Sequence, residues 1–137
     1  MVKELVHDPM LLAQKSAPAD ESDKQTAQDL LDTIAAHRSS CVGMAANMIG
    51  VKKRVIVFDN NGVYEIMYNP EIIKRSGAYQ TAESCLSLLG DPRPVTRYKS
   101  IKVKFKNAEF KERIRTFTGF TAQIIQHECD HCNGVLI

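Results

Sequence analysis

The chain has 137 residues and a mass of 15.3 kDa, enough for one domain with a real core. Hydrophobic residues make up 44%, charged residues 25% and the formal net charge is +2, so charge alone gives no ground for a nucleic-acid or membrane surface. No apolar run reaches the length of a membrane span and the opening MVKELVHDPM lacks the features of a signal peptide; the expected location is the cytoplasm, where four cysteines read as thiols or metal ligands.

No repeat, low-complexity tract or linker divides the sequence, and residues 1–137 read as a single domain. The polar stretch Ser16 to Gln25 reads as a loop entering a helix over about residues 22–37, where Leu30, Leu31 and Ile34 recur at helical spacing. His37 and Arg38 fall near its C-terminal end, where positive charge suits the helix dipole. KRVIVFDNNGVYEIMYNP then predicts two strands around a tight turn, with Asn61-Gly62 supplying the positive-φ residues of a hairpin. AESCLSLLG, followed by Pro92 and Pro94, predicts an irregular, sharply turned segment. SIKVKFKNAEFKERIRTFTG predicts a second hairpin, because Ile101, Val103 and Phe105 alternate with Lys102, Lys104 and Lys106. With no aromatic residues among them to stack on bases, these lysines read as a solvated strand face, and no direct nucleic-acid binding is expected. Gly119 precedes an apolar-periodic helix, FTAQIIQHECDHC. The result is an α+β fold in which small antiparallel β-sheets pack around a C-terminal helix.

That helix carries His127-Glu128-x-x-His131. Residues four apart project about 40° from each other on a helix, so His127 and His131 can share one ion, with Glu128 beside it as a base. A metal site needs at least three protein donors. Cys129 and Cys132 point away from the two histidines and read as packing residues, so the third donor comes from upstream. His7, His37, Cys41, Cys85 and several carboxylates are candidates. Cys85 is preferred, because the turned segment around it could bring a thiolate to the helix and leave backbone N–H groups free.

Three separated stretches together resemble the peptide deformylase family. QHECDHCNG is similar to its helix motif, ESCLS to its Glu-Gly-Cys-Leu-Ser segment, and CVGMAANMIG to its Gly-x-Gly-hydrophobic-Ala-Ala-x-Gln stretch; YNPEI and VTR also match, in the family's order, over roughly residues 7 to 137. The resemblance implies one divalent transition metal held by Cys85, His127 and His131, with water in the fourth position. It implies Fe2+ as the native ion, with Zn2+, Ni2+ or Co2+ able to occupy the site, since mixed thiolate and imidazole donors suit several of these. Glu128 would take a proton from water as it attacks the formyl carbon, then deliver it to the departing amine, releasing formate. The implied oxyanion donors are the backbone N–H of Leu86 and the first motif's Gln, whose position here is Met48. Val42, Gly43 and Ile124 match positions near the substrate's methionine pocket or backbone. The implied partners are the formyl-methionine termini of nascent peptides, with no membrane involved.

The sequence departs from the family pattern at three places: Cys41 replaces the leading Gly of the first motif, Met48 its Gln, and Ser84 the Gly after the motif Glu. A thioether cannot donate a hydrogen bond, and Asn47 points about 100° away from Met48 on a helical turn. No counterpart follows Ile137 of the C-terminal extension that serves ribosome docking in relatives, so ribosome association is not expected. Two readings stand beside the deformylase: a catalytically weak or inactive metal- or peptide-binding protein, and a hydrolase of another small formyl or acyl amide.

Overall fold

Each strand of a five-stranded antiparallel sheet pairs with the next in sequence, in the order β1-β2-β3-β4-β5. The computed structural model describes residues 1–88 and 90–137. The chain runs α1 (Pro9–Leu12), a 3-10 turn (Glu21–Asp23), α2 (Lys24–Ala36), β1 (Gly43–Ala45), a second 3-10 turn (Ala46–Ile49), β2 (Val55–Asn60), β3 (Val63–Glu83), β4 (Arg93–Lys106), β5 (Glu112–Thr118) and α3 (Gly119–Cys132). Among the described residues no helix is long and apolar enough to cross a membrane.

The first hairpin closes at Asn61 (φ 52°) and Gly62 (φ 96°), so both central residues take the left-handed conformation that matches the twist of the flanking strands. In β4, Ile101, Val103 and Phe105 are buried while Lys102 and Lys104 are exposed, as the alternation requires. The second hairpin joins the first through β3 and β4, so the two belong to one sheet. The helix expected over about 22–37 is α2, with His37 as its C-cap.

Beyond Pro70 the strand expected to stop continues to Glu83, paired with β4 down to Arg93. Residues 73–78 are all exposed, because this part of the arm is solvated and is defined by its hydrogen bonds to β4 rather than by a core; from Tyr79 to Glu83 alternate residues turn partly inward. Register shifts between Tyr68 and Glu71 and between Ile72 and Lys74 mark the change. Asn69 sits in the first shift at φ 53°; its amide donates to and accepts from Ala19, at 2.9 and 2.7 Å.

Val55 to Phe58 are all buried, because β2 is covered on both faces. Ile56 and Phe58 pack toward α3 with Met67, Ile101, Val103, Phe117 and Ile125. Val55 and Val57 pack toward α2 with Leu30, Ile34, Met44, Met48 and Tyr68. Burial of this kind stabilises by about 1.5–3 kcal/mol for each large aliphatic side chain, and it holds α3 across the face of the sheet, against β1, β2 and β4.

Candidate metal centre

The ligand atoms of Cys85, His127 and His131 lie within 4.8 Å of one another. Metal–sulfur and metal–nitrogen bonds of about 2.3 and 2.0–2.1 Å space tetrahedral ligands roughly 3.3–3.7 Å apart, so a small inward movement would let all three bind one ion. Two elements make the arrangement. α3 starts at Gly119 (φ 62°) and puts His127, Glu128 and His131 on its buried side, with the imidazole centroids 4.5 Å apart. Cys85 follows the end of β3 by two residues, and the N–H of Leu88 donates to its carbonyl at 3.2 Å, which turns the thiol toward the helix.

α3 is anchored at its middle and at its C-terminal end. The Gln126 amide donates to the Tyr98 carbonyl at 2.9 Å and accepts from the Tyr98 N–H at 2.9 Å, tying the helix to β4. Asn47 donates to the His131 carbonyl at 3.0 Å. This places the Asn47 side chain against the helix terminus, in keeping with its expected direction away from Met48.

The charge state of the donors fits a dication. Burial alone would raise the Cys85 thiol, but hydrogen bonds from His127 and His131 outweigh it and bring its pKa down to about 6. Burial opposes protonation of His127, yet its bonds to Cys85 and Glu83 carry it up to about 9. His131 is likewise raised against burial, chiefly by the Glu128 charge. A thiolate thus faces imidazoles that hold protons a bound cation would displace, the usual coupling of metal binding to proton release.

Behind the first histidine stands a network that sequence reasoning left without a role. Glu83 accepts from His127 Nδ1 at 2.8 Å, from Arg97 at 2.7 to 3.1 Å and from Gln123 at 2.8 Å. Burial would raise the Glu83 carboxyl, but these bonds hold it down at about 2. Arg97 also donates to Asp130 at 2.7 Å, joining the β4 strand to α3. The signal was present in ESCLS and VTR, which contain Glu83 and Arg97, although neither spacing nor periodicity connects them.

A cleft of about 260 Å³ opens on these groups and is lined by all the expected site residues except His131: Cys85, His127, Glu128, Leu86, Met48, Val42, Gly43 and Ile124. Among the described residues the Leu86 N–H has no backbone or side-chain acceptor. Gly43 lies in tight contact with the helix, for a Cβ there would lie 2.6 Å from Ile124 Cγ2 and 2.8 Å from Glu128 Oε2 and would force these side chains to shift. Met48 is buried, and its sulfur accepts from the Ala45 N–H at 3.5 Å. Ser84 and Cys41 also line the cleft. Cys41 is pushed up to about 12, by burial first and then by the Glu128 charge, and its thiol donates to the Gly43 carbonyl at 3.0 Å.

The remaining upstream candidates do not join the donor set. His37 caps α2, and His7 bonds the Ser87 carbonyl at 3.0 Å. Cys129 and Cys132 are buried in the core between α3 and the sheet, the packing role expected of them.

The polypeptide deformylase family profile matches residues 2–137. A peptide deformylase of Clostridium beijerinckii is 47% identical over 137 residues, spanning all of both chains. Peptide deformylase 1 of Clostridium perfringens is 36% identical over 115 residues, covering 82% of this chain and 77% of its own. The crystal structure of a peptide deformylase from Legionella pneumophila superposes with a TM-score of 0.89 at 32% identity, covering 99% of this chain and 83% of that one. The Thermotoga maritima peptide deformylase gives 0.88 at 30% identity, covering 99% and 95%.

Proposed function

The chain belongs to the peptide deformylase family, and from that premise we propose that it is a metallohydrolase removing the N-formyl group from formyl-methionyl termini of nascent peptides, with release of formate. The observation that carries this reading is the meeting of Cys85, His127 and His131 within 4.8 Å, with Glu128 on the wall of the same cleft. We read residues 1–137 as one domain acting in the cytoplasm, where nascent chains emerge, and Fe2+ as the native ion with Zn2+, Ni2+ and Co2+ as possible occupants.

Cys85, His127 and His131 would hold a divalent ion, which would supply Lewis acidity for a water nucleophile and the formyl carbonyl. Glu83 accepts the Nδ1 proton of His127 and so leaves Nε2 for the ion. The Glu128 carboxylate takes the proton of the attacking water and returns it to the departing amine, one group serving as base and then acid. The N–H of Leu86 donates to the oxyanion. Val42 and Ile124 form apolar wall for the methionine side chain, and Gly43 keeps room beside Glu128.

Met48 supplies no proton at the position where the family carries Gln, and this favours a second reading, a hydrolase of another small formyl or acyl amide. Formate release from a formyl-methionyl peptide by metal-loaded protein, abolished by a chelator, tests the first reading. Turnover of other formyl or acyl amides with none of that peptide would select the second.

A further inference from the structure

Three hydrogen bonds run along the N-terminal segment before α1. The Lys3 N–H donates to Thr33 Oγ1 of α2 at 2.9 Å. The Val6 N–H donates to the Met48 carbonyl at 2.8 Å. His7 Nδ1 donates to the Ser87 carbonyl at 3.0 Å. Val6 and His7 therefore hold two separate walls of the metal cleft at adjacent positions: the 3-10 turn carrying Met48, and the turn carrying Cys85 and Leu86. Ser87 is buried at 1% exposure, whereas His7 is exposed, so the bond satisfies an acceptor in the interior from the surface.

We propose that His7 is a positioning residue of the metal centre, holding the Cys85–Leu88 turn so that the Cys85 thiolate and the Leu86 N–H stay aimed at the same point. The argument rests on the reading of Cys85 as a metal ligand. Loss of the donor takes the partner from a carbonyl on a buried residue and removes the tie that holds the turn to the N-terminal segment, leaving the turn freer to move. Such movement displaces a ligand two residues away and an oxyanion donor one residue away. Neither effect requires contact between His7 and substrate.

His7→Ala and His7→Asn, each loaded with nickel alongside wild type, provide the test. The amide nitrogen of Asn can stand where Nδ1 stands, so it keeps the donor without the ring. His7→Ala is expected to release nickel to a chromophoric chelator on the order of tenfold faster, the lower end for partners that orient ligands. It is expected to lower kcat on a formyl-methionyl peptide with little change in KM, and His7→Asn is expected to restore both. Amide exchange at Leu88, whose N–H closes the turn on the Cys85 carbonyl, should accelerate in His7→Ala alone; this holds even if that variant melts too low for kinetics. Wild-type nickel release by His7→Ala, or an Asn variant as leaky as the Ala variant, overturns the proposal. Absence of formate release by every protein, with nickel release still sensitive to His7, would overturn the deformylase reading and leave the positioning role standing.

Discussion

Glu83 Oε1 lies 2.8 Å from Nδ1 of His127, at the far end of a 21-residue strand from the turn that starts it. The bond selects the tautomer of a proposed ligand, and Arg97 keeps the carboxylate ionised. Glu83→Gln should therefore weaken metal binding by about 10- to 100-fold, measured by competition with a chelator. Unchanged affinity would remove Glu83 from the site's design.

The same carboxyl makes a prediction about acid. Its pKa is lowered from 4.5 to about 2, so its stabilising contribution is complete above about pH 4.5 and is lost as pH falls toward 2. The contribution is on the order of 3 kcal/mol. Urea unfolding between pH 5 and 2 should show wild type losing stability more steeply than Glu83→Gln. Parallel profiles would contradict the assignment.

Thiol reactivity separates the four cysteines. In chelator-stripped protein Cys85, with a pKa of about 6, should alkylate at a rate that rises through pH 6 and is level by pH 8. Cys41 and Cys132, both pushed up to about 12 by burial first, and Cys129, raised further, should stay unlabelled there. Peptide mapping reads this directly, and re-added metal should protect Cys85. Earlier labelling of Cys132 would show that the wrong thiol has been chosen.

Much of this was legible in the sequence where local chemistry determines structure. Asn61-Gly62 specified its hairpin, the Ile101-to-Lys106 alternation specified a face, and HExxH on a periodic helix placed His127 and His131 on one side of it. The arm from Glu71 to Glu83 was not legible, because its pairing with β4 replaces the burial that periodicity detects. The Glu83–Arg97–Asp130 network was hidden for another reason: its members sit on three elements whose approach is a product of the sheet. The approach of Cys85 to the α3 histidines was not legible either, because it depends on the turn after β3 and not on any spacing in the chain.

Gly43→Ala tests how tightly the base is held. The new Cβ would fall 2.8 Å from Glu128 Oε2 and 2.6 Å from Ile124 Cγ2, so both contacts must be relieved and Glu128 is displaced. A displacement near 1 Å costs about 10² in kcat, with metal content unchanged and stability lowered by about 1–3 kcal/mol. Wild-type kcat in this variant would mean that Glu128 is not the proton acceptor or is not confined.

Met48→Gln should raise kcat on a formyl-methionyl peptide more than it changes KM, since a restored donor acts on the developing oxyanion. The upper bound is the cost of one such donor elsewhere, about 10²–10³. The two side chains are similar in volume, so the core around Met48 should accept the change apart from burial of the amide. No gain would show that another group already fills the role; loss of an existing activity would show that Met48 shapes the cleft for a different acyl group.

We propose that Glu128 moves the proton in a hydrolysis centred on Cys85, His127 and His131. The most direct measurement is formate release from a formyl-methionyl peptide by wild type and Glu128→Gln, each carrying one equivalent of the same ion. Wild type should release formate, and Glu128→Gln should keep full metal content and an unchanged fold yet release almost none, because an amide cannot accept the water's proton. Equal rates from the two proteins, or loss of the ion from Glu128→Gln, would contradict it.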